Sequence, residues 1–288
     1  MVPSTTTKEE QPTMLTLQEI QESTLVNAAT KAWATDNIAY LAKPKQGILT
    51  KSVKTKKGDK IAQTYVMYMQ PADKVAVNTI CAMAGASGCK APCLISSGHL
   101  GMSAGQRKAT WRTLLFLVKP DLFYQLLRAE IEGLAAFHGA MGEDLYIRLN
   151  GTSDVDFSEF IGSMPHVNFY DYTKLLSRVR KNTLANYDLT FSGSMYSNAS
   201  RAALRKAVQR GHRIAVAFNT KNSKADTLAI PEGLADFDKT DLRPLDGLVL
   251  GALTRKGSSA SKRRDDDVDA SFFVTNTNKA KFLELVNL

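Results

Sequence analysis

The sequence predicts an α/β fold: a complete or partial (β/α) barrel with an N-terminal helix and β-hairpin extension. Three observations carry that prediction. From residue 145 onward, short apolar strands alternate with helical stretches, the pattern of right-handed βαβ units and a parallel sheet. No nucleotide-binding glycine fingerprint follows any strand, so a doubly wound open sheet is the second choice. Each strand also ends in polar residues, as a site at the carboxyl mouth of a barrel requires.

The elements follow in order. Residues 1–14 are polar and Thr/Glu-rich and read as a disordered tail. Residues 15–62 form an extension. Leu15, Ile20, Leu25 and Val26 fall at helical spacing, and a lysine-rich stretch turns at Gly58-Asp59 as a hairpin into strand formers from Ala62 to Met69. Residues 63–288 are the barrel domain. A long helical region from about 104 to His138 is interrupted at Pro120. Strands are expected at 145–149, 167–172, 187–191, 214–218, 248–253 and 271–274. Helices are expected at 155–163, 174–180 and 198–210, the last capped by Gly211.

Composition narrows the class. Hydrophobic residues make up 44% and charged residues 23% of 288, which excludes a disordered or collagen-like chain. No apolar run is long enough to span a membrane and the N-terminus lacks a secretion pattern, so a cytoplasmic location is expected. The net charge of +9 points to an anionic partner such as a nucleotide or nucleic acid. Lys43, Lys45, Lys51, Lys54, Lys56, Lys57 and Lys60 face a single acid, Asp59, and are the candidate phosphate-contacting surface. Lys262-Arg263-Arg264 is cancelled by Asp265, Asp266 and Asp267.

The cysteines are the sharper signal. All three lie in Cys81-Ala-Met-Ala-Gly-Ala-Ser-Gly-Cys89-Lys-Ala-Pro-Cys93, a C-x7-C-x3-C spacing. Thiolates select zinc, copper(I) or iron–sulfur clusters. Three of them would ligate three irons of a [4Fe–4S] cluster and leave the fourth open to substrate or to S-adenosylmethionine. Gly85 and Gly88 would let the backbone wrap such a cluster. Zinc held by the three cysteines and His99 is the alternative, and three inert buried thiols the plain one. The spacing differs from the C-x3-C-x2-C of most radical S-adenosylmethionine enzymes.

This glycine-rich segment, the Arg107 to Glu130 region, Ile147-Arg-Leu-Asn-Gly-Thr-Ser-Asp154, Phe169-Tyr-Asp-Tyr-Thr-Lys174, Asn186 to Ser192 and Asp238-Lys-Thr-Asp-Leu-Arg243 carry a resemblance. Over about residues 63 to 275 the chain resembles the "gene product 88"-like group of phage and plasmid proteins. There a glycine-rich C-x7-C-x3-C segment precedes an Arg-containing helix. The resemblance implies a phage-type protein with a cysteine-bound centre and a barrel-like core distantly similar to radical S-adenosylmethionine proteins. It favours a cluster over zinc and supplies no activity.

The remaining candidates stand at strand ends. Asp154, Tyr172 and Lys174 are candidate catalytic residues, with Lys174 an acid or base if burial lowers its pKa. Arg148, Asn150, Ser153, Ser192 and Asn219 are candidate cofactor-binding residues, Arg148 as an anion clamp or in an ion pair with Asp154. The acidic run Asp236, Asp238, Asp241 and Asp246 with Arg243 reads as a solvated loop with internal Asp–Arg pairing. Tyr65, Tyr68, Tyr170, Tyr172 and Tyr187 read chiefly as core. No His-x-x-x-His, nucleophile elbow or phosphate loop occurs. The leading expectation is a radical S-adenosylmethionine-like iron–sulfur enzyme acting on a nucleotide or nucleic acid. The alternative is a non-enzymatic nucleic-acid-binding or anti-defence protein with a structural zinc or cluster.

Overall fold

The computed structural model describes residues 15–41, 47–51, 61–90, 92–220, 228–256 and 272–288. Among them the strands β1 (Gln63–Val66), β2 (Leu145–Arg148), β3 (Asn168–Thr173), β4 (Tyr187–Ser192), β5 (Ile214–Phe218), β6 (Ala235–Asp236) and β7 (Leu250–Thr254) form one sheet. Its order is β1-β2-β3-β4-β5-β7-β6, and every pairing between these strands is parallel. Each of the first four strands lies beside its chain successor, so each of these connections is a crossover that delivers the next strand in the same direction. The sheet curls into a half-barrel with β1 and β6 at its edges. Of the two expected forms, complete and partial, the partial barrel is the one found.

The helices between the strands follow from local chemistry. In α1 (Leu17–Glu22) the Thr16 hydroxyl accepts from the Glu19 amide, and the Glu19 carboxylate accepts from the Thr16 amide, a reciprocal cap of the first turn. α2 (Ala28–Asp36) and α3 (Ile38–Leu41) complete the N-terminal helices. The long helical region divides into α4 (Ser103–Val118) and α5 (Pro120–Ala140). Pro120 excludes Lys119 from the helical region, where its φ is −131° and ψ 65°. At the first position of α5 the proline has no amide hydrogen bond to lose. α6 (Ser158–Gly162), α7 (Leu176–Lys181) and α8 (Asn198–Gln209) bridge β2 to β5. The sequence reading did not foresee β6 or the terminal helix α9 (Lys279–Val286). The expected strand at 271–274 is a single parallel bridge, Val274 to Phe218, with Ser271 outside the described residues.

Two apolar clusters hold the halves of the sheet. Ile20, Leu41, Trp111, Phe123, Ile147 and Phe169 belong to the first, which joins the N-terminal helices, α4 and α5 to β1–β3. Leu204, Val216, Phe218 and Phe282 belong to the second, under β4, β5 and β7. Leu15, Ile20, Val26, Leu41, Ile48 and Leu49 all enter the first cluster, so the described part of the N-terminal extension packs into the barrel's own core. Thr50 pairs antiparallel with Val66 and covers part of the β1 edge. Tyr170 and Tyr187 are buried as expected of core residues. No helix among the described residues is long and apolar enough to cross a membrane.

Several expectations fall outside the described residues. They are the 1–14 tail, the Gly58-Asp59 hairpin turn, the Lys262–Asp267 run, and Lys43, Lys45, Lys54, Lys56, Lys57 and Lys60.

Candidate functional site

Parallel strands deliver their carboxyl ends to one face, and there a single cavity of about 1170 Å³ opens. Its lining joins all three cysteines to Arg148, Asn150, Ser153, Asp154, Tyr172, Lys174 and Ser192. Residues separated by as many as 111 positions are thereby brought to one place. Asn219, the remaining candidate, does not line the cavity; its amide donates to the Val274 carbonyl at 2.9 Å.

The cysteine segment follows β1 and is fastened from both sides. Cys81 bridges Asp154 in parallel register. Across the mouth, Ser194 Oγ donates to the Ser87 carbonyl at 2.7 Å, and Ser197 and Ser200 hydroxyls donate to the Ala86 carbonyl. Gly88 has φ +70°, and a Cβ there would meet the Tyr196 ring at 2.4 Å, so glycine is required. Gly85 faces open space instead; the expected constraint falls on Gly88 alone.

The thiols differ. Cys81 is buried; the Ala72 amide donates to its sulfur at 3.3 Å, and its thiol lies 3.9 Å from the Thr152 carbonyl. Burial pushes the Cys81 thiol up to about 12, and the Ala72 amide only partly offsets this. Burial likewise raises Cys93 to about 11, against the Ile95 and Leu94 amides directed at its sulfur. Both hold their protons at neutral pH unless a cation displaces them, and amide donors already aimed at sulfur favour that exchange. In this respect the donor set fits a thiolate-bound metal centre. Cys89 is half-buried beside Lys174.

Among the described residues, no group of three or more His, Cys, Asp or Glu side chains could hold a single metal ion. His99 lines the cavity but completes no such set. Tetrahedral zinc draws its thiolates to within about 4 Å of one another, given Zn–S bonds near 2.3 Å. A cuboidal cluster takes one thiolate per iron.

The polar residues are more committed than the sequence implied. Arg148 pairs with Asp241 at 2.9 Å, not with Asp154, and its guanidinium lies 4.6 Å over the Tyr172 ring. Burial is the largest influence and opposes the Arg148 charge, but Asp241 together with Tyr172, Tyr170 and Tyr68 outweighs it and raises the guanidinium pKa. Asp241, 3% exposed, also accepts from Tyr170 Oη. The acidic run is therefore not wholly a solvated loop, although Arg243 and Asp246 do pair internally at 2.8 Å. Asp154 is held by Arg178 at 2.6 Å and by the Lys174 amide at 2.9 Å. Lys174 Nζ donates to Ser192 O, Ser192 Oγ and Gly193 O, which accounts for its three donors. Burial lowers its ammonium to about 8, against the pull of Cys89 and Asp154.

Asn150 is a knot in the loop after β2. Its amide and Nδ2 donate to the two oxygens of Asp171, while its Oδ1 accepts from Ser153 Oγ and the Val155 amide. Asn150 and Ser153 thus shape the mouth, and their side chains are engaged within the loop. Sequence reasoning missed Asp241, Arg255, Phe272 and Phe273 in the lining. The sequence reads Asp241 as part of a solvated acidic run and Phe272 and Phe273 as strand residues, and it gives Arg255 no role at the site.

Asp171 yields a pH prediction. Burial raises its carboxyl to about 6 despite hydrogen bonds from Asn150 and Tyr187. The folded chain then holds this proton more tightly than the unfolded one. Its stabilising effect is full below about pH 4 and is lost as pH rises to about 6, a change of about 3 kcal/mol. Urea unfolding from pH 4 to 7 should therefore show Asp171→Asn gaining on the parent as pH rises. A constant difference between the two proteins contradicts this assignment.

Comparison with known proteins gives a match to the family model described as "Gene product 88" over residues 40–268. No curated protein and no solved structure matches the chain.

Proposed function

We propose, from the premise that the chain belongs to the gene product 88 family, that it is an iron–sulfur protein of the radical S-adenosylmethionine kind. Its Cys81, Cys89 and Cys93 would hold a [4Fe–4S] cluster with one open iron, and its substrate would be a nucleotide or nucleic acid. One observation carries the reading: three thiols from a single loop line one cavity with the charged strand ends of a partial barrel. Supplied with an electron by a one-electron donor, such a cluster with S-adenosylmethionine brings radical chemistry.

The chain's own residues have defined tasks in this reading. The Ala72, Leu94 and Ile95 amides stabilise thiolate over thiol. Lys174 and Asp154 act as positioning residues, since Lys174 ties β3 to the end of β4 and Asp154 anchors the Lys174 backbone. Lys51, the described member of the lysine run, also lines the cavity, and the rest of that run is the proposed contact for nucleic-acid phosphates.

Metal analysis of protein purified without oxygen tests the reading. About four iron and four sulfide per chain, with brown colour, are expected. Colourless protein with one zinc per chain overturns it and favours a structural centre in a nucleic-acid-binding protein.

A further inference from the structure

The floor of the cavity, where Arg148 on β2 and Tyr172 on β3 line it, carries unexplained polar atoms: Arg148 Nε and Tyr172 Oη are buried and have no hydrogen-bond partner, and neither has Thr190 Oγ1 on β4, which lies outside the lining. They are neighbours: Tyr172 and Thr190 are register partners, and Arg148 stacks on the Tyr172 ring. Native interiors leave few such atoms, and a cluster of them asks for water, an ion or a ligand.

The surroundings discriminate between these. Asp241 balances the Arg148 charge at 2.9 Å, so the floor offers an anion no net attraction, and a phosphate would meet a buried carboxylate. Tyr68, Tyr172, Phe272 and Phe273 line the same cavity, an aromatic content that suits a flat ring as partner. Where a closed barrel fills its interior with branched side chains, β5 contributes only Ala215 and Ala217 to this lining. The resulting space exceeds the usual range of about 300–1,000 Å³ for one ligand.

We propose that this floor is a recognition subsite for the uncharged hydrogen-bonding edge of a nucleobase, read by Arg148 and Tyr172. The proposal rests on the nucleotide reading above and not on the cluster. Arg148 Nε donates to a ring nitrogen or carbonyl oxygen, while Tyr172 Oη takes either role. Asp241 keeps Arg148 charged without making the site an anion trap.

Calorimetry on the full chain tests it, with guanosine, adenosine, cytidine and uridine against inorganic phosphate. At least one nucleoside is expected to bind, about tenfold or more tightly than phosphate. Tyr172→Phe should weaken that nucleoside about fivefold. Arg148→Lys, which keeps a cation opposite Asp241, should weaken it about tenfold. Iron content should stay unchanged in both variants. The proposal is overturned if no nucleoside binds, if phosphate binds more tightly, or if Tyr172→Phe binds like the parent because ordered water fills the floor. Nucleoside binding by protein that takes up no iron supports the subsite and overturns only the cluster.

Discussion

Cys89→Ala is expected to reduce iron from about four atoms per chain to less than about one, with the helical signal and melting transition nearly unchanged. Cys89 is half-buried at the edge of a small apolar cluster with Ala72, Cys81 and Ala84, so losing its sulfur removes little packing. Its weight lies in the proposed metal centre. With three cysteines in the chain, no fourth thiolate is present to take its place. Cys81→Ala should lose iron too, but at a structural cost, because it strips the Ala72 amide of its acceptor inside the fold. An unsatisfied buried donor costs about 1–3 kcal/mol. Iron retention with loss of stability in Cys81→Ala, or full iron in Cys89→Ala, contradicts a three-thiolate centre. Iron and sulfide analysis beside thermal unfolding separates these outcomes.

The contrast between the two cysteines marks how far sequence reaches. Clustering and softness of ligand were visible in Cys81–Cys93, and so was the barrel, because strand and helix periods are local properties. Strand β5 falls at Ile214–Phe218, as its unbroken apolar run implied. The same locality explains the misses. β6 has two residues and no period of its own. Helix α9 lies at the end of the chain and takes its place by packing on α8 through Phe282, Leu285 and Val286. Arg148 and Asp154 looked like partners because six positions separate them, yet each found its counter-charge elsewhere: Asp241 is 93 positions from Arg148, and Arg178 is 24 from Asp154. Pairing of buried charges is set by which strand ends the sheet brings together, and sheet order is not written in any local window. Asn150 and Ser153 illustrate a further limit. A polar residue past a strand end either faces a ligand or ties its own loop, and only hydrogen-bond geometry separates the two.

Asp241→Ala is expected to destabilise the chain by about 3–5 kcal/mol, the range for removing one partner of a buried ion pair. Arg148 would be left 8% exposed at the cavity floor with its charge uncompensated, and Tyr170 Oη would lose its acceptor as well. Replacing both partners by apolar residues of similar volume, Arg148→Met with Asp241→Leu, should recover most of that loss, because the pair repays its own desolvation poorly. Urea denaturation of the two variants beside the parent tests this. The expected pattern is a double variant more stable than Asp241→Ala alone. A double variant no better than the single one would mean that Asp241 stabilises the fold mainly through Tyr170 and its own loop. The outcome also bears on function. An ion pair that the fold can spare thermodynamically, yet that holds a charged guanidinium against Tyr172 at the base of a ligand-sized cavity, fits the proposed recognition role. The double variant should therefore fold and still lose nucleoside binding.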